Sequence, residues 1–184
     1  MLYTKKGDDG MTKTFGCDQR MSKSSAVAEA LGSLDETNSF LGLCKIKSKK
    51  EKLNFSENLS FEKIVNDIQK NLFIVQAEIA GSKISITEDK VKEIENIIDS
   101  IEKELPPIKS FFIAGGIKLA VLFDVSRTIA RRAERRVIEV DEEGKIKIGN
   151  FTKAYLNRLS SLLYALTRLT NHKFGITEES PDYK

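Results

Sequence analysis

An arginine-rich stretch over residues 126–136 holds the side chains best suited to chemistry, with five arginines and one glutamate. On a helix that turns about 100° per residue, four of these side chains share one stripe. The four are Arg127, Arg131, Glu134 and Arg135, whereas Arg132 and Arg136 point elsewhere. Planar guanidinium groups suit phosphate oxygens, and a carboxylate among them could hold them in place. A solvated basic face with helical ion pairs would give the same pattern, so the motif alone leaves both interpretations open.

The N-terminal segment is a second candidate for phosphate binding, because it combines glycines, hydroxyls and lysines. Gly7, Gly10 and Gly16 permit tight turns and close approach of the backbone to a ligand. The hydroxyls belong to Thr4, Thr12 and Thr14, and the ammonium groups belong to Lys5, Lys6 and Lys13. Such groups could wrap a polyphosphate, although the spacing is not that of a Walker A loop. A solvated tail is the alternative interpretation.

Polar residues also occur where a purely structural helix would not favour them. Asp35, Thr37 and Asn38 lie within a predicted helix. An acidic group there could pair with an arginine of the 126–136 stretch, within the chain or across a subunit interface, and a wet helical face is the alternative. Asn157 lies on a leucine-rich helix face, which suggests a buried hydrogen-bond partner, either a ligand or another helix.

Two aromatic residues, Phe111 and Phe112, precede a pair of glycines, Gly115 and Gly116, at the start of a predicted helix. A helix N-terminus that follows glycines can hold an anion. Aromatic side chains in such a position more often fill a core, so both interpretations stay open.

Composition limits the class of protein. The 184 residues suit one domain, and the net charge of +3 is too small to favour nucleic acid as a partner. No long apolar run predicts a transmembrane span, and the N-terminus lacks the apolar core of a signal peptide. Cys17 and Cys44 are too few for a disulfide framework, and the single histidine, His172, excludes multi-histidine metal ligation. We therefore expect a cytoplasmic protein with free thiols and no membrane partner.

Apolar residues at helical spacing predict five helices joined by short or moderate links. Their expected bounds are residues 23–47, 60–80, 87 to the prolines at 106 and 107, 117–139, and 152–171. The lysine-rich residues 47–58 are expected to form a flexible loop, and residues 145–148 a short extended segment. The last ten residues, 175–184, are expected to be loose. The predicted fold class is an all-α bundle of a single domain.

Five segments in order resemble the ATP:cob(I)alamin adenosyltransferases of the trimeric propanediol-utilisation type, a family that includes the mitochondrial enzyme of vitamin B12 metabolism. They are Thr4-Lys-x-Gly-Asp-x-Gly10, Gly32-x-x-Asp-Glu-x-Asn38, Phe111-x-Ile-x-Gly-Gly116, Arg127-Thr-x-x-Arg-Arg-Ala-Glu-Arg135 and Tyr155-Leu-Asn-Arg-Leu-Ser160. The resemblance covers residues 3–168. It implies one five-helix adenosyltransferase domain over residues 1–184, assembled as a homotrimer with active sites between subunits.

The resemblance also implies the reaction and its substrates. The family transfers the 5′-deoxyadenosyl group of ATP to the cobalt of cob(I)alamin and releases tripolyphosphate. Residues 1–22 would form a loop that wraps ATP, and Mg²⁺ would be held by the ATP phosphates rather than by protein ligands. A reductase that supplies Co(I), or an acceptor of adenosylcobalamin, is an implied partner.

Site residues carry over by motif. Catalytic roles fall on four residues: Arg131; Arg127 and Asp35, which pair across the subunit interface; and Phe111, which lies against the lower face of the corrin. The residues expected to bind ATP are Thr4, Lys5, Lys6, Gly7, Thr12, Lys13, Lys23, Arg131, Arg132, Glu134, Arg135 and Asn157. The chain departs from the family pattern at Lys6, Met11, Val27 and Ala114, the last of which replaces a proline.

The proposed chemistry explains why no side-chain nucleophile or general base is evident. Cobalt(I) is itself the nucleophile that attacks C5′ of the ribose, so the protein has only to position the reactants and stabilise the departing triphosphate. The alternative is a non-catalytic bundle that carries cobalamin or senses ATP. A bundle that binds nucleic acid through the arginines is a third interpretation, disfavoured by the small net charge.

Overall fold

Helices make up most of the computed structural model, which describes residues 3–14, 19–57 and 59–183. In chain order the elements are β1 (Met11–Thr12), β2 (Met21–Ser22), α1 (Ala26–Glu51), β3 (Asn54–Ser56), β4 (Leu59–Ser60), α2 (Phe61–Ile79), α3 (Glu88–Glu104), α4 (Lys118–Glu142) and α5 (Asn150–Lys173). The prediction of an all-α bundle of five helices is confirmed. Two short antiparallel ribbons, β1 with β2 and β3 with β4, were not predicted.

The ends of the helices follow local capping chemistry. Ser25 caps α1, since its hydroxyl accepts from the backbone N–H of Ala28 at 3.3 Å, and Ser60 caps α2 in the same way. Helix α1 ends at Lys52, which adopts the left-handed conformation with φ of 51°. Leu105 is extended because Pro106 follows it, and this ends α3.

Two predicted connectors differ from the structure. The lysine-rich segment is not wholly a loop, because α1 continues to Glu51, which pairs with Lys47 one turn earlier, and β3 follows. Residues 145–148 form no strand. Gly16, Cys17 and Asn58 lie outside the described residues.

Helix α4 lies between α1 and α5, while α2 packs on α1 and α3 packs on α5. Their inward faces form one apolar core whose largest fully buried side chains include Phe61, Phe123, Tyr155, Leu34, Leu41, Leu72, Ile79, Ile101 and Leu119. Tyr155 keeps a polar partner in this core, because the amide of Asn71 donates to its hydroxyl at 3.1 Å. Among the described residues, no helix is long and apolar enough to cross a membrane.

The C-terminal segment was predicted to be a loose tail, but its described part makes specific contacts. The backbone N–H of Ile113 donates to the carbonyl of Glu179 at 2.8 Å, and the hydroxyls of Ser110 and Ser180 lie 2.7 Å apart. The sequence could not reveal these contacts, because they join residues 66 or more positions apart. The described part of the tail therefore lies against the loop that precedes α4.

Asp141 ties the end of α4 to the start of α5. Its carboxylate accepts from the backbone N–H of Ile148 at 2.9 Å and from the ammonium of Lys153 at 2.9 Å. These two hydrogen bonds lower the pKa of Asp141 from its ordinary value of 3.8 to about 2. Because the pKa is lowered by folding, the carboxylate stabilises the fold above pH 3.8, and this contribution is lost as the pH falls towards 2.

We expect Asp141→Asn to lower the thermal unfolding midpoint at neutral pH, because the variant loses the charge opposite Lys153 but keeps an acceptor for Ile148. The gap between the wild-type and variant midpoints, measured by circular dichroism, should stay constant above about pH 5 and close towards pH 2. A gap that does not change over this range would contradict the assigned role of the carboxylate.

Candidate active site

Most of the predicted catalytic residues meet in a cavity of about 640 Å³, here called the loop cavity. The loop of residues 108–115 forms one wall. The other lining residues are Asp124, Arg127 and Arg131 of α4, Ser160, Ser161, Tyr164, Thr167 and Asn171 of α5, and Glu178 of the tail. Three of the four predicted catalytic residues, Phe111, Arg127 and Arg131, thus line one cavity. Phe111 keeps 79% of its surface exposed, so it fills no core.

Arg127 is held by its own helix. Its Nε donates to Asp124 at 2.7 Å, and its guanidinium carbon lies 6.0 Å from the centre of the Tyr164 ring. Burial raises the pKa of Tyr164, so this phenol stays protonated and neutral at physiological pH. The loop cavity therefore offers a positive guanidinium, a neutral phenol and an exposed aromatic ring.

A smaller cavity of about 280 Å³, here called the arginine pocket, continues along α4. Its lining residues are Arg131, Glu134, Arg135, Ile138 and Asn157. Glu134 accepts from the amide of Asn157 at 3.2 Å, and Arg135 donates to the carbonyl of Arg131 at 3.1 Å. The predicted stripe is confirmed, and Arg131 belongs to the walls of both cavities.

The N-terminal segment forms a third cavity, of about 700 Å³, here called the N-terminal cavity. Its lining residues are Thr4, Lys6, Gly7, Met11, Thr12, Lys13, Arg20 and Lys23. The pairing of β1 with β2 closes the segment on itself, and Lys23 donates to the carbonyl of Gly7 at 2.7 Å. The segment is therefore a folded basic loop at the start of α1.

Arg20 is a member of this loop that the sequence reasoning missed. Its guanidinium donates to the carbonyl of Lys6 at 2.8 Å and to the carboxylate of Asp9 at 2.7 Å. The hydrogen bond from Arg20 lowers the pKa of Asp9, so this carboxylate stays ionised and offsets part of the positive charge. Arg20 thus fixes the loop as well as lining its cavity.

Some predicted site residues do not join these cavities. The ammonium of Lys5 lies 5.9 Å from the centre of the Tyr3 ring, and Arg132 pairs with Glu36 of α1. Asp35 is exposed on α1 and lines none of the three cavities. Its pairing with Arg127 across a subunit interface stays a prediction.

Two interpretations of polar helix residues are corrected. Asn38 does not lie on a wet helical face, because it is buried against α2, where the side chain of Gln69 donates to its backbone carbonyl at 3.0 Å. Asn157 was expected to have a buried partner, but it is exposed. Its hydrogen bond to Glu134 places it at the arginine pocket instead.

Several cavity residues of α5 escaped the sequence reasoning, namely Ser160, Ser161, Tyr164, Thr167 and Asn171. A signal for them existed. Polar residues recur at spacings of three or four along α5, which places them on one face of the helix. The leucines of α5 form a stronger pattern, which predicts only the face that packs in the core.

Neither a metal cluster nor a reactive thiol is evident in the described chain. No three or more His, Cys, Asp or Glu side chains among the described residues are grouped to hold a metal ion. Cys44 is a free thiol in the core, 3.3 Å from the hydroxyl of Ser126, and burial raises its pKa to about 11. Because the thiolate is the reactive form, Cys44 is inert at neutral pH.

Sequence comparisons identify relatives of known activity. The sequence model of the family described as cobalamin adenosyltransferase matches residues 2–170. The corrinoid adenosyltransferase of Bacillus subtilis is 37% identical over 182 residues, which are 95% of this chain and 89% of the relative. The corrinoid adenosyltransferase PduO of Citrobacter freundii is 35% identical over 178 residues. This match covers 93% of the chain but spans only half the length of that relative.

Structural comparison agrees with the sequence comparisons. A variant of the PduO-type ATP:corrinoid adenosyltransferase from Lactobacillus reuteri, complexed with cobalamin and ATP, superposes with a TM-score of 0.85. The two chains are 26% identical, and the match covers all of this chain and 97% of that one. An arginine-to-lysine variant of the same enzyme, complexed with ATP, gives a TM-score of 0.84. The resemblance seen in the sequence is confirmed, and this chain belongs to the cobalamin adenosyltransferase family.

Proposed function

We propose that the protein transfers the 5′-deoxyadenosyl group of ATP to the cobalt of cob(I)alamin, or of a related corrinoid, and releases tripolyphosphate. The observation that carries this proposal is the position of Arg131 in the walls of both the loop cavity and the arginine pocket. A corrinoid in the first cavity and a nucleotide in the second would meet at this side chain. The named activities and ligands of the relatives support the same assignment.

The loop cavity suits a corrinoid because it combines apolar and polar walls. Phe111 would lie against the lower face of the corrin, where an apolar ring excludes an axial ligand from the cobalt. Loss of that ligand makes cobalt easier to reduce, because Co(I) does not bind a lower axial ligand. Tyr164 and Arg127 would contact the polar edge of the same substrate.

The arginine pocket suits the triphosphate of ATP. In the proposed reaction an electron pair of Co(I) forms the bond to C5′, and the C5′–O bond breaks with its electron pair left on the triphosphate. Arg131 and Arg135 would stabilise the charge that develops on this leaving group. Since no proton is transferred, the reaction needs no general base, and the side chains only bind and orient.

ATP also requires the N-terminal loop, yet no described residue lines both the N-terminal cavity and the arginine pocket. We propose that the loop of one subunit completes the arginine pocket of its neighbour in a homotrimer. A contact between two different surfaces of the same chain closes into a ring rather than a two-fold dimer. The two surfaces would then belong to one active site only after assembly.

Exposed apolar side chains favour such an interface. Leu43 and Ile46 on α1, and Val121 and Val125 on α4, are all more than one third exposed. The contact between Cys44 and Ser126 places these stretches at the same level of the bundle. In the assembled trimer, Asp35 would reach Arg127 of the neighbouring subunit.

We propose that Mg²⁺ arrives with ATP and stays on its phosphates, because the described residues offer no carboxylate cluster for it. A reductase would supply Co(I), and an enzyme that uses adenosylcobalamin would accept the product. We also propose a cytoplasmic location, which the small number of cysteines supports.

An anaerobic assay with chemically reduced cob(I)alamin and MgATP tests the proposed reaction. The Co(I) absorption band should disappear only when the protein is present, with formation of light-sensitive adenosylcobalamin and release of tripolyphosphate. Saturable binding of ATP or cobalamin without product formation would contradict the enzyme and favour the non-catalytic carrier or sensor.

Arg131→Ala should lower kcat at least about 100-fold, because it removes a cation aimed at the leaving group. Arg131 is exposed, so the thermal unfolding midpoint should change little. Arg136→Ala is the matched control, since Arg136 lies on the same helix but pairs with Glu139 away from the cavities. Normal turnover in the Arg131 variant would contradict the site assignment.

Phe111→Ala should impair the reaction through the corrinoid rather than through ATP. We expect lower turnover with cob(I)alamin, an unchanged KM for ATP and little loss of stability, because the ring is 79% exposed. Phe73→Ala is a suitable control, as Phe73 is 62% exposed on α2 and lines none of the three cavities. Equal kinetics for both variants would remove Phe111 from the site.

A further inference from the structure

Asn171 of α5 holds the end of the loop that precedes α4. Its amide donates to the carbonyl of Gly115 at 3.1 Å, and its carbonyl accepts from the backbone N–H of Ile117 at 3.3 Å. Between these residues Gly116 has φ of +101°, and a Cβ there would lie 2.1 Å from the Asn171 oxygen. The close approach of Asn171 therefore requires glycine at position 116.

Arg168, one turn earlier on α5, holds the beginning and middle of the same loop. It is only 6% exposed, and its guanidinium is directed at the loop and the tail. Its Nη2 donates to the carbonyl of Pro106 at 3.2 Å, and its Cζ lies 5.0 Å from the centre of the Phe112 ring. Its Nε donates to the carboxylate of Glu178 in the tail at 2.8 Å.

The tail completes the enclosure of the loop. The hydrogen bond from Ile113 to the carbonyl of Glu179 lies next to the Arg168–Glu178 pair in sequence. The loop is thus held by α5 on one side and by residues 178–180 on the other. Glu178 and the loop line the same cavity.

A buried guanidinium is costly unless a carboxylate compensates its charge. Glu178 is the carboxylate that pairs with Arg168, and it comes from a segment with no helix or strand of its own. The loop has alanine at position 114, where a proline would restrict the backbone dihedral φ. Its shape therefore depends on the groups that contact it from outside.

We propose that Arg168 and Glu178 are positioning residues for the corrinoid. By joining the tail to α5 and contacting Pro106 and Phe112, the pair sets the position of the loop, and with it the position of the Phe111 ring in the loop cavity. This inference rests on the proposed function for its consequence in catalysis. The effect of the pair on the loop can be measured without any turnover.

Glu178→Ala tests the proposal, with Glu179→Ala as the matched control. Both variants remove one negative charge from adjacent positions, but the exposed Glu179 contributes its backbone carbonyl, which alanine retains. Glu178→Ala should raise the KM for cob(I)alamin about tenfold, the effect of losing one charge-assisted hydrogen bond. The KM for ATP should not change, because the arginine pocket lies apart from the tail. Glu178→Gln, which keeps an acceptor for Arg168, should restore part of the affinity.

Hydrogen exchange at the amide of Ile113 provides the second readout. Its exchange should become about tenfold faster in Glu178→Ala than in the wild type or in Glu179→Ala, because the tail no longer holds the loop. Wild-type exchange together with a wild-type KM for cob(I)alamin would overturn the proposal. Faster exchange with an unchanged KM would overturn the positioning role.

Failure of the proposed function is distinguishable from failure of this inference. If the wild-type protein forms no adenosylcobalamin, the reaction is wrong, and binding of cobalamin replaces KM as the comparison between variants. Weaker cobalamin binding and faster exchange in Glu178→Ala alone would then still support the pair as a positioning device. Equal binding and exchange in all variants would overturn it.

Discussion

The amphipathic character of α4 is the constraint on which the rest of the structure depends. Its inward face carries Phe123, Ala130, Ala133 and Val137, which are buried between α1 and α5. Because this face must stay in the core, the stripe that begins at Arg127 is forced outward along a helix of fixed pitch. The loop cavity and the arginine pocket therefore share a wall that needs no separate scaffold. Arg131 lies in both cavities as a consequence of helix geometry rather than of loop placement.

Helix α5 gives this arrangement its second wall and its rigidity. One face supplies leucines to the core, while polar residues at spacings of three or four face the loop cavity or hold its loop. Arg168 and Asn171 are both nearly fully buried, yet both use their polar groups on the backbone of the loop before α4. Backbone groups that would otherwise lack partners are thereby satisfied, which allows an irregular segment to lie against the bundle.

The sequence was sufficient for features that depend on local periodicity. The five helices and the arginine stripe follow from the spacing of apolar and charged residues along the chain. It was insufficient for features that depend on distant contacts. The tail is held by the hydrogen bond from the backbone N–H of Ile113. Residues 145–148 form no strand, and the backbone N–H of Ile148 donates to Asp141 instead. Lys5 and Arg132 carried the right charge for phosphate, but neighbouring Tyr3 and Glu36 direct them elsewhere.

The division of the basic groups between two places in one chain has a chemical reason in the proposed reaction. A tripolyphosphate leaving group carries several negative charges, so stabilising it requires cations from more than one direction. A single helix such as α4 can present guanidiniums along one stripe only, since its other faces are committed to the core. The N-terminal loop, with Lys6, Lys13, Arg20 and Lys23, offers a second set at the start of α1, whereas α4 contacts α1 at Cys44, nearer the other end of that helix, through Ser126. In the proposed trimer, assembly of subunits would bring two such sets together without burying unpaired charge inside one bundle, where desolvation would oppose folding.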